Sequence, residues 1–151
     1  MIPKIREKTV KRLLLALAFI LSPVGAFAAG MTHHVAFHLD ENDPALMNLI
    51  LNNAQNVSQY YASVGDEVEI EIVAYGPGLS IYLPDSPVKD RIAQMSLAIP
   101  TMTLSACGNT MTNMAEKAGH EITLLPEARV VPAGVVCLIE LQEAGWSYIR
   151  P

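Results

Sequence analysis

Apolar and polar positions along this chain follow two rhythms: short runs that alternate every second residue, and longer stretches that repeat every three or four. His34 to Leu39 (HVAFHL) reads as a strand. Asp43-Pro44 then opens an amphipathic helix to about Ser63, with Asp43 as N-cap and Pro44 in the first turn. Leu46, Leu49, Ile50, Val57 and Tyr60 or Tyr61 recur at helical spacing and predict its buried stripe. Val68 to Tyr75 (VEIEIVAY) reads as a second strand, ended by the turn residues Gly76-Pro77-Gly78. Ser86-Pro87 starts a helix to about Leu97, Pro100 to Ala106 makes a third strand, and Thr110 to Ala118 a third helix. Arg129-Val130-Val131 reads as a short strand, Val135 to Glu143 as a fourth helix, and Trp146 to Ile149 as a terminal strand.

Strands that alternate with helices over so few residues imply crossover connections and a mainly parallel sheet of about five strands with helices on both faces. The expectation is a single three-layer α/β domain over residues 29–151, with no internal repeat or linker to mark a second one.

The start of the chain reads differently. Lys4, Arg6, Lys8, Lys11 and Arg12 precede an apolar run from Leu13 to Leu21, then Pro23, Gly25 and Ala26-Phe27-Ala28. That order matches a secretory signal peptide over 1–28 cleaved after Ala28, and the run is shorter than the ~20 residues a bilayer span needs. The expected location is periplasmic, with no membrane attachment after cleavage. Without the leader, five basic residues face fourteen acidic ones. A domain so acidic repels phosphate backbones, which argues against nucleic acid and anionic membranes as partners.

In open parallel sheets, ligands gather at the carboxyl ends of the strands. The loops to inspect are 40–43, 76–84, 107–109 and 132–134. Cys107 stands where the third strand gives way to the third helix, a position where helix N–H groups and the helix dipole favour a thiolate. Gly108 leaves the sulfur open to approach, and Asn109 or Thr110 can cap the helix. A buried, inert cysteine is the competing reading of the same position. Cys137, among Val135, Val136, Leu138 and Ile139, reads as core, and a disulfide between the two cysteines is a further possibility in an oxidising compartment. His38, near the end of the first strand, is placed beside the third strand and Cys107. His33 and His34 read as solvated residues. No HxxxH, HExxH or CxxC spacing is present, so no metal is assigned. Gly76-Pro77-Gly78 lacks the lysine and glycine spacing of a phosphate loop, and no GxSxG elbow occurs. No cofactor is assigned.

Three segments carry a family resemblance: Val73-Ala74-Tyr75-Gly76-Pro77-Gly78, Ala106-Cys107-Gly108-Asn109-Thr110-Met111, and Val131-Pro132-Ala133-Gly134-Val135 leading to Gly145-Trp146-Ser147-Tyr148-Ile149-Arg150-Pro151. Together they resemble the DsrE/DsrF-like family of small sulfur-relay proteins, in its exported branch, over nearly all of residues 29–151. The resemblance implies a five-stranded parallel sheet and assembly into trimers or hexamers. It also implies a cysteine after the third strand, here Cys107, that holds a sulfane sulfur as a persulfide and passes it on. Gly108, Asn109, Thr110 and His38 are the expected binding residues around it, and the expected partners are sulfur donor and acceptor proteins or small thiols. Two other readings stay open at this level: a non-catalytic module holding a small ligand or metal between Cys107 and His38, and a structural oligomer.

Overall fold

The computed structural model describes residues 30–151; the signal peptide assigned to 1–28 lies outside them. Five strands, β1 (Thr32–Leu39), β2 (Glu67–Ala74), β3 (Met102–Cys107), β4 (Ala128–Val131) and β5 (Ser147–Ile149), form one sheet. Its order is β4-β3-β2-β1-β5 and every pairing is parallel. The connections are α1 (Pro44–Val64), a 3₁₀ segment (Gly76–Tyr82) with α2 (Lys89–Ala98), α3 (Gly108–Ala118) and α4 (Gly134–Glu143). The three-layer α/β expectation therefore holds.

Strand alternation divides the sheet into two unequal faces. Phe37, Leu39, Ile70, Ile72, Leu104 and Ala106 point to one side, where α1, α2 and the 3₁₀ segment cover them with Met47, Ile50, Leu51, Ile92, Leu79 and Tyr82. Ala36 and Val73 point to the other, where α4 supplies Leu138, with Tyr75, Cys137, Leu141 and Trp146 packed around them. A ten-residue helix is only about 15 Å long, and the second face is correspondingly more polar. On it Glu71, buried, accepts hydrogen bonds from Ser105 (2.6 Å), Arg129 (2.8 Å) and the Cys137 thiol (3.4 Å).

Several boundaries follow from local chemistry. Asp43 caps α1 as expected, its carboxylate accepting the Ala45 N–H at 2.8 Å. Gly65 ends the same helix in the left-handed conformation (φ 85°) that favours glycine. The expected stripe of α1 holds in part: Ile50 is buried and Leu46, Val57 and Tyr61 pack against the core, but Leu49 and Tyr60 face outward, and Met47, Leu51 and Ala54 complete the buried side. The expected turn at Gly76-Pro77-Gly78 is the start of the 3₁₀ segment. A side chain at position 78 would come within 2.4 Å of the Leu39 carbonyl oxygen, so only glycine lets that segment lie against the end of β1.

Candidate functional site

Cys107 is the last residue of β3 and the N-cap of α3. Strand alternation aims its side chain at the α4 face, and the start of α3 brings N–H groups towards it. No short capping bond forms between the thiol and the helix, yet the sulfur is surrounded by donors. Burial opposes ionisation most strongly, but the Thr110 hydroxyl and the backbone N–H groups of Gly134, Thr110 and Asn109 together outweigh it and hold the Cys107 pKa below its ordinary value. The residue is 5% exposed.

The expected helix-capping roles of Asn109 and Thr110 are not what the fold uses. Thr110 Oγ1 accepts the Gly76 N–H at 2.9 Å, tying the start of the 3₁₀ segment to α3. With its lone pair engaged there, the hydroxyl hydrogen is free to face the sulfur. The Asn109 N–H also reaches the Pro132 carbonyl at 3.2 Å. Gly108 is closely packed: a Cβ there would lie 3.1 Å from the Val131 carbonyl oxygen and 3.3 Å from that of Pro132.

His38 and Cys107 are not neighbours. β2 runs between β1 and β3, and Tyr75, just past the end of β2, stands between the two side chains. Its ring stacks on His38 with centroids 4.6 Å apart and an interplanar angle of 25°. On its other side it meets Gly134, where a Cβ would fall 2.9 Å from Tyr75 Cδ1 and 3.3 Å from Cys107 Cβ. Burial, with the nearby Asp40 charge, raises the Tyr75 pKa and keeps the phenol protonated.

His38 is itself buried and shares a 2.7 Å hydrogen bond between Nδ1 and the Tyr148 hydroxyl. Its Nε2 has no hydrogen-bond partner and lies 3.9 Å from Asp40 Oδ2. Burial lowers the His38 pKa, against the attraction of Asp40 and with the help of Arg150. Arg150 grips both Asp40 oxygens at 3.0 Å, so the last residues of the chain close this end of the sheet.

The remaining candidates fall elsewhere. Cys107 and Cys137 are both free thiols. Cys137 is part-buried against Glu71 rather than full core, and burial, reinforced by the Glu71 charge, pushes its pKa up to about 12. Val135, Val136 and Ile139 on the same helix are exposed. His33 is packed rather than fully solvated, stacking on Tyr61 with centroids 3.8 Å apart and pairing with Asp66 at 3.2 Å, while His34 lies beside Trp146 and Glu69 with its side chain 39% exposed. Among the described residues no group of three or more His, Cys, Asp or Glu side chains is placed to hold a metal ion, and no helix is long and apolar enough to cross a membrane.

Tyr75, Gly134 and Tyr148 are the site residues that sequence reasoning missed. Continuing the alternation of β2 one residue past its end puts Tyr75 on the same face as Glu71 and Val73, which could have singled it out. The loop 132–134 stood out only as a strand end, with no sign that the Gly134 N–H faces the sulfur.

No family model matches the chain, and no curated protein matches it. Among solved structures it is similar to a protein of unknown function, MTH1491 from Methanobacterium thermoautotrophicum. The two are 30% identical with a TM-score of 0.68, over 79% of this chain and 99% of that one.

Proposed function

We propose, for a chain that belongs to the same family as the methanogen protein MTH1491, that Cys107 carries a sulfane sulfur as a persulfide and hands it to an acceptor thiol. One observation carries the reading: the sulfur stands at the cap of α3 among four donors that favour its anion. The same donors suit a persulfide anion, which is likewise a large, soft, singly charged group.

Loading needs no oxidant. The Cys107 thiolate attacks the terminal sulfur of a donor R–S–SH. A bond forms from Cys107 Sγ to that sulfur as the donor's own S–S bond breaks, and R–S⁻ leaves with the bonding electrons. The proton on the terminal sulfur is retained or lost to solvent. Discharge is the same exchange run towards an acceptor thiolate, with Cys107 as the leaving group. A lowered cysteine pKa helps that second step, because a better-stabilised thiolate departs more readily.

The proposal includes an exported, oligomeric protein. The leader-like pattern over 1–28 supports export. The exposed Val135, Val136 and Ile139, which share one face of α4 by their three- and four-residue spacing, support self-association as an apolar surface patch. A ligand shared directly by Cys107 and His38 has no such support, since β2 and Tyr75 separate them.

The test is intact mass after incubation with a sulfane-sulfur donor, run beside Cys107→Ser and Cys137→Ser. The expected result is a gain of about 32 Da, one sulfur, that reductant removes and that only Cys107→Ser abolishes. No adduct on a reduced wild-type protein refutes the sulfur-carrier reading. Size-exclusion chromatography checks the assembly: Val136→Glu and Ile139→Glu together are expected to lower the apparent mass to that of a monomer.

A further inference from the structure

The last strand is fastened to the rest of the protein by few groups. β5 has three residues, all exposed, and pairs only with β1. With so little apolar surface to bury, it depends on polar fastenings beyond its short ladder. There are two. The Tyr148 hydroxyl meets His38 Nδ1 at 2.7 Å, and the Arg150 guanidinium forks onto Asp40 at 3.0 Å and reaches Glu41 at 3.5 Å. The Arg150 side chain is 49% exposed, and ion pairs in water contribute little. The histidine, 5% exposed, is the stronger anchor.

His38 is also the part of this fastening that acid can change. The groups facing its ring are Tyr148 from β5, Arg150 just beyond it, Asp40 past the end of β1, and Tyr75 past the end of β2, stacked on the ring. The charges that act on it are Asp40, which favours its cation, and Arg150, which opposes it. Nε2 lies 3.9 Å from Asp40 Oδ2 without a hydrogen-bond partner. Beside a carboxylate the tautomer with its hydrogen on Nε2 is preferred, so Nδ1 accepts the Tyr148 O–H. A proton added at Nδ1 turns that acceptor into a donor, and Tyr148 must turn its own hydrogen away. The same proton sets a buried cation beside Asp40, whose carboxylate is then divided between His38 and Arg150. Both fastenings weaken together, and the cation is relieved only when water reaches the ring.

We infer that β5 is an acid-released latch: protonation of His38 detaches Ser147 to Pro151 from β1 while the rest of the sheet stays folded. The linkage has the matching sign. Burial lowers the His38 pKa in the closed form, and hydration returns it towards 6.5, so falling pH favours the open form in the window beneath that value. At pH 5 a hydrated histidine of that pKa is protonated about thirty to one, which sets the largest gain in opening over pH 7.5 at about thirtyfold.

The test is amide hydrogen exchange on the purified protein, followed residue by residue by NMR and corrected for the intrinsic pH dependence of exchange. The amides that join β5 to β1 are expected to be protected at pH 7.5 and to lose about ten- to thirtyfold of that protection at pH 5. Those of Ile70 to Val73 in β2 are expected to keep theirs. The midpoint of the loss is expected to coincide with the titration of the His38 ring, followed through its own carbon shifts. His38→Gln offers Tyr148 an acceptor but takes no proton, and is expected to hold β5 equally at both pH values. The inference falls if the β5 amides are unprotected at pH 7.5 or equally protected at both, or if β2 shares the loss in full, which is global unfolding. It falls too if His38→Gln shows the same loss. Should that variant fail to fold, the wild-type midpoint still decides: one that follows His33, His34 or His120 instead of His38 overturns the latch.

Discussion

Thr110 supplies the one side-chain donor among the groups that lower the Cys107 pKa against the opposing effect of burial. Replacing it with valine keeps the branched shape and removes the hydroxyl, so the sulfur loses its one side-chain donor while three backbone donors remain. A hydrogen bond to a charged group contributes about 1.5–3 kcal/mol, and no bulk water replaces it readily at a residue only 5% exposed. That loss raises the cysteine's pKa and lowers the thiolate fraction at any pH below it. The assay is the rate of iodoacetamide alkylation against pH in a Cys137→Ser background, where the thiolate alone reacts. Thr110→Val is expected to move the inflection upward, and Thr110→Ser, which keeps both hydrogen bonds, to leave it in place. The valine variant also orphans the Gly76 N–H, which costs about 1–3 kcal/mol of stability. Urea unfolding reads that cost separately. An alkylation profile in Thr110→Val that superimposes on wild type refutes the assignment of the hydroxyl as a thiolate donor.

Three further outcomes can be checked. The folded state holds the His38 pKa below its ordinary value of 6.5, so the unfolded chain binds more protons just below that pH; stability is complete above 6.5 and falls as pH drops through the window beneath it. Urea midpoints at pH 7.5 and 5 are expected to show this loss, and His38→Gln to flatten it. Cys137, with its pKa near 12, is expected to remain unalkylated at neutral pH in native Cys107→Ser protein and to react only on unfolding; labelling at a rate like that of a free thiol contradicts the contact with Glu71. Gly78→Ala drives a Cβ into backbone atoms of Leu39 and is expected to cost about 3 kcal/mol or more in a denaturant titration.

Much of the fold was legible because its signals are local. Asp43 before Pro44, and Gly65 after Val64, are readable at single positions, and the β-branched run VEIEIVA admits few alternatives to a strand. Phase along a helix is less local. Leu46, Ile50, Val57 and Tyr61 of the expected stripe do meet the core, but Leu49 does not, and only the sheet beneath shows that Met47 and Leu51 fill the centre of the buried side. The position of Cys107 at a strand-to-helix junction was likewise readable, but its neighbours were not. Placing His38 beside it assumed that β1 adjoins β3, whereas β2 lies between them and contributes Tyr75. The Gly134 N–H reaches the sulfur from 27 residues further along the chain, through a crossover that no short-range pattern records.

The three residues of β5 pair with Val35 to Phe37 of β1, joining almost the first described residues of the chain to the last. During synthesis, then, β1, next to the edge of the finished sheet, has its outer side unpaired until β5 has been made. Such an open edge is a template for pairing with other chains. Loss of even the final five residues would remove β5, the Tyr148 hydroxyl on His38 and the Arg150 clamp on Asp40 together. A truncated chain is therefore expected to retain most of its hydrophobic core while gaining a sticky edge, failing through aggregation before it fails through unfolding.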